Sequence, residues 1–290
     1  MKTLAPVFHA PPTAPVLHLS GPALREVLDS LLGAAASRDG IEALMQGLAC
    51  KTALFASLLD GGRVRALSEA EFLALCSFMP TVRRRIGEWL AQHGIAAMRT
   101  RLAALLTAPG EVEARFGDFL ACFPEDRGHR WVRDLAAETL HFTAPEEVPL
   151  MTRWMWDRRT ATGVLREIWH GEATALDALA LPDGLPTFLA MRAEIAGFLR
   201  DNGFFRDLAL FQDLFCAHIY AGYINDRGGS YLNAEFSGGE DPMRHTRRLL
   251  GLDALVENGL RLKVRLPAQA SAPAHGAARL GHSGEGDADP

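Results

Sequence analysis

No Cys-x-x-C pair occurs among the four cysteines of this 290-residue chain, Cys50, Cys76, Cys122 and Cys216, which removes the zinc knuckle and the dithiol redox motif. The scattered thiols read as small apolar residues of a reducing compartment. No window holds the roughly 18 uncharged apolar residues that a spanning helix needs. The opening MKTLAPVFHAPPTAP has one lysine and no unbroken apolar run, so neither a membrane span nor a standard secretory signal is written there. An excess of basic charge is missing as well. The formal net charge is −5, which argues against broad attraction to nucleic acid or anionic lipid. G-x-S-x-G, H-E-x-x-H and G-x-G-x-x-G are all absent, so no standard hydrolase, zincin or dinucleotide enzyme is signed. These absences predict a cytoplasmic protein with no membrane and no nucleic acid among its partners, and they leave open whether it is an enzyme.

What is present is helical punctuation. Ser20 precedes ALREVLDSLL, Asp39 with Glu42 and Ser68 with Glu71 have capping-box spacing, and Gly61 and Gly94 stand where helices stop. The pattern predicts an all-α protein of about a dozen helices, near 21–36, 40–59, 68–78, 81–93, 95–107, 111–122, 127–142, 148–158, 161–171, 186–201, 208–224 and 242–250. Residues 1–18, rich in proline and alanine, and 267–290, built of small residues and glycine, lack a face to bury and read as flexible or disordered ends of a single helical domain over 19–266. Two segments alternate with a strand's period, PVLHLS near residue 17 and LRLKVRL over 260–266. Because a lone strand leaves its backbone unpaired, the second is expected to pair with the N-terminal segment as a small terminal β-ribbon, with a partner's edge, or with nothing.

Two Glu-x-x-His pairs, Glu138 with His141 and Glu167 with His170, have the spacing found in helical di-iron carboxylate proteins. On the helix over 127–142 the apolar face is Trp131, Val132, Leu135 and Phe142, which puts Glu138 on its border and His141 on the flank. Val164, Leu165 and Ile168 likewise leave Glu167 and His170 to one side. The two histidines are therefore expected apart and facing water. Were 148–170 one unbroken helix, His170 would end roughly 33 Å from its start at about 1.5 Å per residue. Only a turn near RRTATG would bring the histidines together, and a full site would need two further inward glutamates, for which Glu88 and Glu194 are available. A metal-dependent oxidoreductase using iron or manganese at Glu138, His141, Glu167 and His170 is thus the alternative reading, and no other feature asks for a cofactor.

The leading reading is a binding or assembly-factor protein. Four of the five tryptophans fall between Trp131 and Trp169, and LMTRWMWDRR interleaves them with methionine and arginine, the side chains enriched at protein interfaces. Trp154 and Trp156 lie about 200° apart on a helix, so one ring is expected in the core and the other at the surface. The partner-binding candidates are Met151, Trp154, Trp156, Arg158 and Arg159, with Arg227 and Ser230 from the glycine-rich loop over 225–241. A helix–turn–helix carrying Arg83, Arg84 and Arg85 can also be drawn, but Val82, Ile86, Trp89 and Leu90 take the buried face and leave the arginines as a solvated arc. His218 shares a face with Phe211, Leu214 and Phe215, which reads as a core histidine satisfied by a hydrogen bond.

Overall fold

The computed structural model describes residues 15–36, 40–170, 181–228, 243–256 and 259–266. Residues 1–14 and 267–290 of the predicted flexible ends, Ser230, and most of the 225–241 loop lie outside the described residues, and of Arg227 only the backbone is described. Within 15–18, expected to be flexible, Leu17 is buried and the His18 carbonyl accepts the His170 N–H. Ten α-helices are present among the described residues: α1 Gly21–Ala36, α2 Gly40–Leu59, α3 Glu69–Ser77, α4 Ile86–Thr107, α5 Val112–Ala121, α6 Trp131–Thr143, α7 Val164–Glu167, α8 Leu185–Asp201, α9 Leu208–Gly228 and α10 Arg244–Leu249. The chain is all-α, with a two-strand hairpin as its only sheet among those residues. No described helix is long and apolar enough to cross a membrane.

Local signals account for some helix ends. Ser68 accepts from the Glu71 N–H while the Glu71 carboxylate accepts from the Ser68 N–H, a reciprocal capping box that starts α3. Gly94 sits at φ 73° and ψ 163°, a non-helical break inside α4, so the two helices expected over 81–93 and 95–107 do part at this glycine, although the first begins only at Ile86. Helix α6 is the axis of the molecule. It packs against α2, α4 and α5, and every residue from Trp131 to Phe142 except Arg133 is buried. Helix α9 packs against α1, α2, α7, α8 and α10.

The segment 148–158 departs from its expected helix. Its backbone groups are taken by side chains of α6: the Arg153 N–H donates to Asp134 Oδ1 at 2.9 Å, and Arg133 Nε donates to the Met151 carbonyl at 3.3 Å. The N–H groups of Val164 and Leu165 donate to the carbonyls of Trp154 and Met155. With those partners filled, the intrahelical ladder has nothing to gain. The helix expected over 161–171 contracts to Val164–Glu167 for the same reason. Between them the chain turns at the RRTATG run, where Asp157 and Thr162 form a β-bridge.

The terminal ribbon also differs from expectation. Leu255–Val256 (β1) pairs antiparallel with Gly259–Leu260 (β2), a local hairpin that needs no distant partner. Leu19 instead bridges Trp169.

Candidate functional site

Asp134, Glu138 and His141 fall at i, i+4 and i+7 of α6, within roughly 60° of arc at about 100° per residue. All three are buried, and each meets a partner from a different part of the chain. Asp134 takes the backbone N–H and, at 3.3 Å, the guanidinium of Arg153. Glu138 accepts from Lys51 at 2.7 Å. His141 lies between the Val148 carbonyl at Nδ1 and Asp213 Oδ2 at Nε2, both at 2.7 Å. The expectation that His141 faces water is corrected: it is 2% exposed. A flank of polar residues reads as a solvent face only when no complementary group comes from elsewhere to cover it.

Lys51 is the best-satisfied of these groups. Its ammonium donates to Glu138, to the Phe78 carbonyl at 3.3 Å and to the Leu250 carbonyl at 3.0 Å, and it sits 3.8 Å from the centroid of the Phe142 ring. Phe78 and Leu250 are the C-caps of α3 and α10, so one cation serves two carbonyl-rich helix ends. A compact ammonium with three rotatable donors fits this junction where a planar guanidinium would not. The sequence did carry a signal, because lysine stands at only Lys2, Lys51 and Lys263 in a chain where arginine is the default cation.

Burial pushes the Glu138 carboxyl up to about 7, with the Lys51 ammonium opposing the shift, and burial lowers Lys51. The two carbonyls and the Phe142 ring all favour the charged form of Lys51, so the carboxylate bears most of the cost. Between pH about 4.5 and 7 the folded chain therefore holds a proton that the unfolded chain has released. The expected result is an unfolding free energy that is fully supported below pH 4.5 and falls as pH rises through 7. Urea titrations across that window measure it, and in Glu138→Gln the slope should flatten; an unchanged slope would assign the proton to another group.

This buried set leaves little for chemistry. The Val148 carbonyl only accepts, so Nδ1 of His141 donates to it and Nε2 faces Asp213. Both ring nitrogens are taken up by these bonds. The hole beside the pair, lined in part by Gln212, Asp213 and Cys216, is about 20 Å³, room for a single water. Burial and Asp213 push the Cys216 thiol well above its ordinary range, away from nucleophilic use. Of the candidate metal ligands, the structure brings Glu138 and His141 together on α6 but commits both to other partners. Glu167 ends α7, and His170 is exposed, its N–H donating to the His18 carbonyl. Among the described residues no group of three or more His, Cys, Asp or Glu is arranged to hold a metal ion.

An open cleft lies at the N-terminal end of α6. Its volume is about 610 Å³, its apolar floor includes Leu120, Phe123 and Val132, and its walls carry Arg130, Arg133, Arg153 and Arg159. Arg130 donates to Asp157 at 2.9 Å. Arg133 grips the Asp183 carboxylate and donates to the Asp183 carbonyl at 2.9 Å. Arg153 reaches back to Asp134, while its Nε is buried with no partner among the described residues. The acids Asp134 and Asp157 lie beneath the surface and anchor the arginines from behind.

Arg159 joins the cleft to the hairpin tip Arg158–Ala161, which is heavily braced. Asp157 and Thr162 exchange backbone hydrogen bonds, Asp157 Oδ1 accepts the Arg159 N–H, the Thr160 and Thr162 hydroxyls pair at 2.7 Å, and Arg166 donates to the Ala161 carbonyl. Ala161 is held at φ 48°, a left-handed conformation that costs a non-glycine residue roughly 1–2 kcal/mol. Arg158, Arg159 and Thr160 are exposed. Gly163 makes the turn possible: at φ 129°, a Cβ there would lie 2.7 Å from the Met155 carbonyl oxygen.

The residues of the expected Trp/Met/Arg surface divide between surface and core. Arg158 and Arg159 face out, Trp154 is half-buried beside Tyr220, and Met151 and Trp156 are core residues at 2% and 1% exposure. The Trp156 indole donates inward to the Leu181 carbonyl at 3.3 Å. Arg83 is likewise buried, gripping Asp253 through two bonds of 2.9 Å, which corrects its place in a solvated arc. His218 makes two side-chain hydrogen bonds, to Ser30 and Thr246. The chain matches no family model, no curated protein and no solved structure, so its function rests on its own geometry.

Proposed function

We propose that this chain is a cytoplasmic binding or assembly-factor protein that engages a protein partner through the Arg158–Arg159 tip and the cleft behind it. One observation carries the reading: a hairpin braced by seven hydrogen bonds holds Ala161 in a strained conformation and so displays two exposed guanidinium groups. Strain kept at a surface loop, where a relaxed turn would serve packing equally well, points to recognition. A preorganised tip also loses less freedom when a partner arrives. The four described cysteines are all free thiols, two of them buried, which supports a reducing compartment. The buried ionic groups of α6 act as scaffold, fixing the floor against which the arginines stand.

The test is differential retention. Native extract is passed over immobilised wild-type chain and over Arg158→Ala/Arg159→Ala, whose melting transition should match the wild type because both side chains are solvent-exposed. A protein held by the first and lost by the second, and then shown to bind as a purified component, is the expected result. Equal retention on both columns would sink the proposal.

A further inference from the structure

Past the hairpin, residues 261–266 run across the surface of the α3–α4 turn. The N–H groups of Arg261, Lys263 and Arg265 donate inward, to the Ala254 carbonyl at 2.8 Å, the Ser77 hydroxyl at 3.0 Å and the Arg83 carbonyl at 2.8 Å. Alternate N–H groups facing one way are the signature of an extended strand. Those of Leu262, Val264 and Leu266 therefore face outward, and none has an acceptor among the described residues. The strand is seated closely, since a Cβ on Gly87 would lie 2.2 Å from the Arg265 carbonyl oxygen. It is also apolar where it meets solvent, with Leu262 and Leu266 at 52% and 53% exposure. A groove of about 430 Å³ runs along it, lined by Arg83, Arg261, Leu262, Lys263, Val264 and Arg265.

We infer that this free edge is a second docking surface, independent of the arginine tip, which takes up an extended partner segment alternating acidic and apolar residues by β-strand addition. Main-chain pairing would supply the affinity and the side chains the choice of partner. The charges select the occupant. Arg261 and Arg265 are exposed and make no ion pair among the described residues, whereas Arg83 and Lys263 are both held by Asp253. A second copy laid antiparallel about Val264 would oppose Lys263 to Arg265 and put like charges across the ladder. Cationic side chains on an edge are a common guard against self-pairing. Against an acidic strand the same residues become the attraction.

The probe is a fluorescein-labelled heptapeptide, Glu-Leu-Glu-Val-Glu-Leu-Glu, compared with its lysine counterpart by fluorescence polarisation on the full chain. The acidic peptide should bind about tenfold tighter, with the advantage shrinking as salt is added. Val264→Pro removes an outward N–H and leaves the inward bonds of Lys263 and Arg265 in place, so it should abolish binding. Arg261→Glu/Arg265→Glu should reverse the preference between the peptides. No binding of either peptide, equal binding of both, or binding that survives Val264→Pro would each overturn the inference. So would a dimer in sedimentation that Val264→Pro dissociates, because a second copy would then be the occupant.

Discussion

Lys51→Met should lower the unfolding free energy by about 3–5 kcal/mol, the range for breaking a buried ion pair from one side. Three losses coincide at this position. Glu138 is left as an uncompensated buried carboxyl, the Phe78 and Leu250 carbonyls lose their donor, and the Phe142 ring loses its cation. The pair itself is not a large net source of stability, because removing two charges from water costs several kcal/mol per ion. That asymmetry gives the companion variant. Lys51→Met/Glu138→Leu should recover most of the loss but not all of it, since two carbonyls would still lack a partner, at roughly 1–3 kcal/mol for a buried unsatisfied group. Urea unfolding at pH 7, followed by tryptophan fluorescence, reads both. A single variant within about 1 kcal/mol of wild type would mean that water replaces the ammonium, and that α2 is held to α3 and α10 by packing alone.

The helices were legible where local chemistry decides them. Ser68 with Glu71, the glycine at 94, and the amphipathic runs that became α1, α2, α8 and α9 required only neighbours in sequence. The stretch from Val148 to Trp156 was not legible, because residues buried on every side show no period and its backbone partners, Arg133 and Asp134, lie on another element. The site shows the same division. Arg158 and Arg159 were picked out by the Trp/Met/Arg composition of their run, while the hairpin that displays them was not. The pairings Lys51–Glu138 and His141–Asp213 span 87 and 72 residues, and no local pattern specifies them. Glu138 and His141 looked like a flank because periodicity reports where apolar residues go and is silent on whether a polar one has a distant partner. Arg130, Arg133 and Arg153 were missed for a related reason: each is held by an acid on another element, as Arg133 is by Asp183, and no local pattern specifies the pairing.

Gly251→Ala should cost about 2–5 kcal/mol, combining a left-handed backbone with overpacking. Gly251 sits at φ 73°, and a Cβ there would lie 1.7 Å from the Phe78 carbonyl oxygen and 2.4 Å from its carbon. Backbone, not a flexible side chain, stands in the way, so the α10 end must lift from the α3 end. Asparagine separates the two causes. It tolerates the left-handed region better than alanine but carries the same Cβ, so Gly251→Asn should be nearly as unstable; recovery by asparagine would make backbone conformation the whole effect. The lift also moves the Leu250 carbonyl away from Lys51, which ties this variant to the first. In a double-mutant cycle, Lys51→Met and Gly251→Ala should sum to more than their combination by about 1 kcal/mol or more, as neighbours sharing one junction do. Strict additivity would show that the ammonium and the close glycine contact hold the two helix ends independently, and that Lys51 is not the tie between them.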